Sequence, residues 1–525
     1  MQLIHIQINE TGGLARFIFL ILIFGLFLSS CAPVGPDFVK PEADAPANWS
    51  EHTDQGLETT LPKIDQWWKG FQDPALNALV DIARKNNNTL EIAGLRVLEA
   101  RAQLGIAIGS IYPQSQLASG DAAYVSPPDR TGLSSDWQYN IGMSTAWEID
   151  FWGRFRRGIE SADAAYLSSI AAYDQAVVLL IALVADTYTA IRETEEQIRI
   201  AKENVKLQQR SFDITEVLYR SGDAAELDMQ QALTLLLSTE ATIPNLEIRL
   251  KQAKNALSTL LGQAPGTVNE LLAESKGIPA LPADISIGFP ADMLRRRPDV
   301  RQAELLAMSQ NAQVGVAQAN LYPRFSLIGS IGFVSGGPGD SNFGDLFNSD
   351  SLTYSFGPSF SWPFLNYGRL KNNVRVQDAR LQQALVNYHE TVLQAARETE
   401  NAMAGFIGAR QQVIILEQAV VSAKRSNEIS ALRYTEGFSD YQRVLDTQRS
   451  LFLQEQRYSV NQASAVSNLV ALYRALGGGW ENRDEHLYLD PETIETMKTR
   501  TDWGDVIESG AKRPDSTDSS YKIDW

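Results

Sequence analysis

From Tyr354 to Phe364 the chain alternates without a fault. Tyr354, Phe356, Pro358, Phe360, Trp362 and Phe364 are separated by Ser355, Gly357, Ser359, Ser361 and Pro363. A period of two is a β-strand with one apolar face and one small, polar face. In a soluble sandwich the apolar face meets a second sheet. Here it is aromatic and backed by serine and glycine, which also suits a barrel strand set in lipid with a wet lumen behind it. A near copy lies upstream, where Trp137, Tyr139, Ile141, Met143 and Trp147 alternate with Gln138, Asn140, Gly142, Ser144 and Glu148. Each strand leads into a very long helical segment, through Phe151-Trp152-Gly153-Arg154 in one case and Asn366-Tyr367-Gly368-Arg369 in the other.

The repetition extends beyond the strands. Ile111-Tyr112-Pro113-Gln114 matches Leu321-Tyr322-Pro323-Arg324, and Trp152-Gly153-Arg154 matches Tyr367-Gly368-Arg369. Tyr219-Arg220-Ser221-Gly222 matches Tyr434-Thr435-Glu436-Gly437, and Leu261-Gly262 matches Leu476-Gly477. The offset is 210 residues before the strand pair and 215 after it, so the second copy carries five extra residues between its strands. Ser335-Gly336-Gly337-Pro338-Gly339-Asp340 has the composition of a surface loop at that point. An internal duplication follows, with a first repeat over 63–280 and a second over 281–480.

Each copy reads as helix, strand, loop, strand, long helix, turn, helix. In the first the strands fall near 114–126 and 137–149, the long helix at 154–220 and its return at 223–261. In the second the strands fall near 324–334 and 353–364, the long helix at 369–435 and its return at 439–476. Phe325, Leu327, Gly329, Ile331 and Phe333 line one face of the third strand. Its counterpart alternates poorly at Leu117, Ser119, Asp121, Ala123 and Val125, and is called a strand mainly from the repeat. About 65 residues of helix at ~1.5 Å each span ~100 Å. In the second arm Leu385, Tyr388, Val392, Ala395, Thr399, Ala402, Phe406, Ala409, Val413, Leu416, Val420 and Ala423 keep a 3,4 spacing, the mark of coiled-coil packing. Upstream, Asp73-Pro74 reads as an N-cap and first-turn pair just after Trp67-Trp68, and a second helix covers roughly 89–111.

Composition removes whole classes of function. A net charge of −17 leaves no basic field for nucleic acid. The four histidines, His5, His52, His389 and His486, are scattered, and one cysteine excludes an internal disulfide framework or thiolate zinc site. That cysteine sits in a telling place. Phe17 to Leu28 is an apolar run preceded by Arg16 and followed by Ser29-Ser30-Cys31, too short for a comfortable membrane span and built like a secretory signal over residues 1–30. Leu28-Ser29-Ser30-Cys31 resembles the bacterial lipoprotein processing box. The resemblance implies cleavage before Cys31 and its modification by an N-acyl group and S-diacylglycerol, with no other cofactor. Ala32 after the cysteine implies delivery to the outer membrane. Residues 31–62 read as an extended, lipid-anchored lead-in.

No later stretch offers about 18 consecutive apolar residues. A mature chain that spans a membrane must therefore do so with strands. One chain supplies four, and four strands cannot close a barrel whose edges must be paired within lipid. Several chains must share one barrel, in a number these residues do not fix.

The lipoprotein box, Trp67-Trp68, Asp73-Pro74, the duplicated strand pairs and the long helices together resemble the TolC-like outer-membrane efflux proteins. The likeness is to their lipoprotein branch, the NodT type that serves resistance–nodulation–division multidrug pumps. It covers roughly 60–480, and its more specific motifs are Leu294-Arg295-Arg296-Arg297-Pro298-Asp299-Val300-Arg301-Gln302-Ala303-Glu304, Leu445-Asp446-Thr447-Gln448-Arg449-Ser450-Leu451 and Ala475-Leu476-Gly477-Gly478-Gly479-Trp480. The resemblance implies a mainly α chain with a transmembrane β-barrel: a homotrimer whose twelve strands form one outer-membrane barrel, continued by a periplasmic α-helical barrel. It also implies a periplasmic adaptor and an inner-membrane pump as partners. The arginine-rich motif itself reads as structural, with Pro298 in a first helical turn and Asp299 and Glu304 against the helix dipole and nearby arginines.

In this family the helix hairpin tips hold the periplasmic end shut. By residue match Tyr434 bonds Asp228, Asp446 pairs with Arg449 or a neighbouring protomer's basic group, and Arg433 and Asp440 lie beside them. As plain helix-face charges each would be worth little. A ring of carboxylates in a narrowing pore favours cations. The acidic tail, 481–525, reads as a short helix near 491–499 followed by disorder. With no nucleotide loop and no catalytic set, the chain reads as a passive exit duct for small molecules, not an enzyme. A protein-secretion duct and a pore-less coiled-coil tether are the alternatives.

Overall fold

The computed structural model describes residues 33–42, 49, 57–58, 64–126, 135–273, 277–282, 285–286, 294–335, 343–481 and 488–510. The signal region, Cys31, residues 336–340 of the inserted loop and the chain beyond 510 lie outside the described residues. The first repeat contains α1 (Pro74–Asn86), α2 (Asn88–Gly109), β1 (Ser115–Val125), β2 (Asp136–Ile149), α3 (Arg154–Ser221), α4 (Glu226–Glu240) and α5 (Thr242–Leu260). The second contains α6 (Pro298–Ala319), β3 (Arg324–Ser335), β4 (Leu352–Ser361), α7 (Arg369–Thr435) and α8 (Tyr441–Ala475). Two short helices follow, α9 (Pro491–Arg500) and α10 (Gly504–Gly510).

The strands form one antiparallel sheet in the order β1-β2-β3-β4. Its register sorts the side chains into two faces. Tyr354 lies opposite Ile331, Phe360 opposite Phe325, and Ile331 opposite Met143, so Trp137, Tyr139, Trp147, Tyr354, Phe356 and Phe360 share one face, while the last strand stops at Ser361, short of Trp362 and Phe364. Serine, glycine, Gln138, Asn140 and Asp121 fall on the other. Over most of the aromatic face no described residue covers it: Tyr354 is 79% exposed and Phe356 81%. β1 corrects the sequence reading. Met143 pairs with Ala118 and Trp137 with Tyr124, so the apolar face of β1 is Ala118, Gly120, Ala122 and Tyr124. The odd positions read as its apolar face point the other way, and the true face is made of residues too small to signal hydrophobicity. At the centre, Gly142 opposes Gly332, and a Cβ on Gly142 would come 2.8 Å from the Ile331 carbonyl oxygen. That close approach of backbones permits the sheet to coil.

Both repeats use the same fastenings where strand meets helix. Trp147 Nε1 donates to the Ile111 carbonyl (3.0 Å), and Trp362 Nε1 donates to Leu321 (3.1 Å). The other ends match too. Asn87, the N-cap of α2, donates from Nδ2 to the Leu260 carbonyl at the end of α5 (2.9 Å). Arg297, flanking α6, donates from Nη1 to Ala475 at the end of α8 (2.8 Å). Arg297 is buried and also donates to Asp299 (2.7 and 3.0 Å) and Glu398 (2.8 Å), which makes the arginine-rich motif the knot between α6, α7 and α8.

The expected N-cap is present: Asp73 Oδ1 accepts from the Ala75 and Leu76 amides, with Pro74 in the first turn. Its other oxygen accepts from the Tyr188 hydroxyl (2.6 Å), tying α1 to α3. Within α7, Tyr388, Val392, Ala395, Thr399, Ala402, Phe406, Ala409, Val420 and Ala423 are buried as the spacing predicts, while Leu385, Val413 and Leu416 are half-buried. The return helix expected over 223–261 is two helices, broken at Ala241. Pro244 explains the break, since it has no N–H for the Glu240 carbonyl and its ring crowds that group. The tail differs as well. Disorder was expected after 499, yet α10 docks on α2, with Ile507 buried and Trp503 and Val506 packed on the core. The acidic average of the tail concealed three apolar residues at helical spacing.

The lead-in is clasped to the helices. Buried Arg157 donates to the carbonyls of Val34 (3.3 Å) and Gly35 (3.2 Å) and pairs with Asp37 (2.7 Å) and Glu160 (2.7 Å). Asn311 adds a bond to the Pro36 carbonyl (2.8 Å), and Val34 N–H reaches Trp152 (3.0 Å).

The two joins differ in energetic weight. Arg297→Ala strands the carboxylates of Asp299 and Glu398 and an orphan carbonyl, and should cost about 3 kcal/mol, the low end for breaking a buried pair because Glu398 is half exposed. Asn87→Ala should cost about 1 kcal/mol. The ordering of their heat-denaturation midpoints in detergent, Arg297→Ala well below Asn87→Ala, checks this.

Candidate functional site

The ends of α3 and α7 are built alike. Gly222 (φ 87°) and Gly437 (φ 78°) take the left-handed conformation that closes a helix. Asp223 N–H then reaches the Leu218 carbonyl (2.8 Å) and Phe438 N–H reaches Arg433 (2.8 Å), each five residues back. The chain reverses into α4 and α8, and the two hairpins meet in a small apolar cluster of Ala232, Leu235, Tyr441, Val444 and Leu445, with Phe212 and Tyr434 against it.

The structure brings four of the tip groups together. Asp228 lies in the first turn of α4, and Asp440 precedes α8 without capping it through its side chain. Burial, and secondarily the negative charge of Asp440, hold the Asp228 carboxyl above the usual range. The Tyr434 and Tyr441 rings meet edge to face, 5.3 Å apart. Burial, then the charge of Asp228, pushes Tyr434 up to about 12. Tyr441 is likewise pushed up to about 12 by burial, Tyr434 and Asp228, against the opposing pull of Arg449.

Two pairings differ from expectation. Tyr434 and Asp228 feel one another electrostatically, but the Tyr434 hydroxyl has no hydrogen-bond partner among the described residues, nor has that of Tyr441. Asp446 does not pair with Arg449 of its own chain; it accepts from Gln442 Nε2 one turn earlier (2.9 Å). A residue three positions on along a helix surface is a neighbour only if the side chain turns that way. Arg433, Asp440, Asp446 and Arg449 are all exposed, and Arg443 joins them on the same stretch of α8.

Sequence reasoning missed Tyr441 and Gln448. Buried Gln448 donates to Ser211 on α3 (2.6 Å), and Ser430 and Thr447 share a bond (2.6 Å) between α7 and α8. The signal was present: Tyr441, Val444, Leu445, Gln448 and Leu451 are the buried stripe of α8, spaced by three and four.

The raised carboxyl gives the tip a pH dependence of known sign. An acid whose pKa is higher folded than unfolded binds more protons when folded, so stability is greatest below the unfolded value, near 3.8, and falls as pH rises through the raised one. Protection factors at 218–226 and 434–442, which remove the base-catalysed rise of intrinsic exchange, should fall from pH 4 to pH 7, and Asp228→Asn should flatten that trend while Asp440→Asn weakens it. An unchanged pH slope in Asp228→Asn would contradict this account.

The comparisons with known proteins agree with the duplicated architecture. The sequence profile described as "Outer membrane efflux protein" matches residues 79–263 and again 289–478, one match per repeat. The solvent efflux pump outer membrane protein SrpC of Pseudomonas putida is 33% identical over 466 residues, covering 87% of this chain and 97% of its own. Nodulation protein T of Rhizobium leguminosarum bv. trifolii is 32% identical over 472 residues, covering 87% of this chain and 96% of its own. The solved structure of the outer-membrane channel OprN superposes with a TM-score of 0.80 at 33% identity, over 85% of this chain and 99% of that one. This chain belongs to the outer membrane efflux protein family.

Proposed function

We propose that three copies of this chain assemble into the outer-membrane exit duct of a tripartite efflux system, passing small molecules supplied by an inner-membrane pump through a periplasmic adaptor. The observation that carries the reading is the sheet. It has two open edges and a largely uncovered aromatic face, and it sits on helices of 68 and 67 residues, each ~100 Å long. Its edges are satisfied in lipid only if β4 of one copy pairs with β1 of the next. Twelve strands fall between eight, whose side chains fill the barrel, and sixteen, which leave a channel, so a wet lumen lined by the serine and glycine face is available. Val386, Leu393, Ile414, Ile415, Val421 and Leu432 on α7 are exposed in the single chain and supply apolar contact for the neighbouring helices. Membership of an efflux family removes the pore-less tether from consideration, and the family is one of transport proteins rather than enzymes.

The proposed gate is the tip. Within a protomer the two hairpins meet through the apolar cluster on which the Tyr434 ring packs, with the Asp228 and Asp440 carboxylates beside it repelling one another. Asp446, satisfied in its own chain only by Gln442, pairs with a basic group of the next protomer, and Arg433, Arg443 and Arg449 are exposed for that purpose. Arginines a turn either side of Asp446 also weaken the cation preference that a ring of carboxylates alone would impose. Asp446→Ala combined with Tyr434→Phe should raise single-channel conductance in planar bilayers severalfold. Unchanged conductance would remove these residues from the gate.

The lipid on Cys31 is part of the same proposal. Its support is the clasp, since Arg157 and Asn311 fix Val34 to Asp37 at the junction of strands and helices, within a few residues of Cys31. Acyl chains there would enter the inner leaflet. Cys31→Ser should abolish labelling by radioactive palmitate while the clasped residues 33–42 keep their protection from proteolysis; persistent labelling would place the lipid elsewhere.

A further inference from the structure

The far loop of the second repeat, between β3 and β4, does not stand clear of the sheet. Its described part, Phe343–Ser351, makes two 3-10 turns, pinned by Ser351 Oγ donating to the Asp345 carbonyl (2.8 Å) and Asn348 Nδ2 to Asp345 Oδ1 (3.0 Å). Two rings fix where it lies. Phe343 meets Tyr139 edge to face at 5.3 Å, and Phe347 meets Phe333 at 5.5 Å. The register places Tyr139 and Phe333 on the aromatic face, together with Ser335, which is opposite Tyr139. Ser335 is 5% exposed and Leu346 only 3%, so the loop covers the wall there. It folds back over the outside of the sheet and not across the mouth of the lumen.

Having covered that patch, the loop presents a new apolar surface of its own. Phe343 is 61% exposed and Phe347 59%, in line with Tyr354 on the open wall. We infer that Phe343–Ser351 is a lipid-seated collar, whose occupant is the outer leaflet at the boundary of acyl chains and headgroups. This rests on the barrel reading given above. Three observations choose lipid over another occupant. The collar is continuous with the aromatic wall. It is fastened to positions two and three residues below the strand ends, about 7–10 Å at ~3.4 Å per residue, the depth of that boundary. Its polar members, Asn348, Ser349 and Asp350, are exposed directly after the second phenylalanine, as a segment lying at an interface requires. The five-residue insertion of the second repeat lies in this same connection and supplies the length to fold back.

The test uses the full chain in vesicles of phosphatidylethanolamine, phosphatidylglycerol and lipopolysaccharide. A nitroxide is attached in turn to Phe343→Cys, Phe347→Cys, Ser349→Cys and, on the open strand wall, Phe356→Cys, with the wild-type chain as labelling blank for Cys31. Accessibility to oxygen, which concentrates in lipid, is compared with accessibility to a water-soluble nickel chelate. The collar requires oxygen to dominate severalfold at 343, 347 and 356, and nickel to dominate at 349. Nickel dominance at 343 and 347 with oxygen dominance at 356 overturns the collar and leaves the barrel standing. Nickel dominance at 356 brings down the barrel reading itself. Exclusion of both reagents at 343 and 347 means that protein covers them, which also overturns the collar.

Discussion

Backbone hydrogen bonding in a solvent that offers none is the constraint on which the rest of this molecule depends. Every N–H and C=O in the hydrocarbon must be paired within protein. A sheet of four strands, β1-β2-β3-β4, leaves two rows of such groups unpaired, and its aromatic face has no second sheet to meet. A soluble chain would respond with a covering helix or a charged edge. This one places all of its helices at the other end of the strands. Within lipid, the unpaired edges of β1 and β4 call for strands from further copies.

Duplication solves the joining of two architectures economically. A strand pair must hand over to helices at the membrane surface, and helices must end cleanly far below it. Both repeats use a tryptophan N–H to a carbonyl at the first place, a left-handed glycine at the tip, and a side chain that caps the returning helix at the third. The copies have diverged where the load differs. Asn87 caps one helix end with a neutral bond, whereas Arg297 gathers two carboxylates besides, because the second join also carries the connection between the repeats.

Much of this was legible in the chain. Strict alternation with aromatics gave the strands of the second repeat, and fixed spacing gave the long helices to within a residue or two. Failures came where identity carries little local signal. Ala118, Gly120 and Ala122 face lipid in β1 but are too small to mark a face, so only the pairing with Met143 and Trp137 reveals it. Pro244 breaks the return helix although the helical pattern continues on either side of it, so the stretch reads as one helix. Trp503, Val506 and Ile507 were lost in an acidic average. At the tip, the family resemblance nominated Asp228, Tyr434 and Asp446, and the single chain shows neither the Tyr434–Asp228 bond nor the Asp446–Arg449 pair, because side-chain direction and the contribution of neighbouring copies are not written in a single chain's spacing.

The buried side chains between the long helices change character toward the tip. Between Val177 and Ile191, α3 buries an almost wholly apolar stripe, but from Asn204 to its end at Ser221 the buried side chains are Asn204, Gln208 and Thr215. The last buried groups of α7 are Asn427 and Ser430, and α8 sets Gln448 among Tyr441, Val444, Leu445 and Leu451, so one small apolar cluster remains at the tip. Neither amide atom of Gln208 has a partner among the described residues, and the same holds for Oδ1 of Asn427. Unsatisfied buried polar groups cost about 1–3 kcal/mol each, where apolar contacts would have contributed. Local opening is therefore cheaper near the hairpins than near the membrane. The helices are therefore fastened most firmly near the strands, and at the tip by one small apolar cluster set among imperfectly satisfied polar groups.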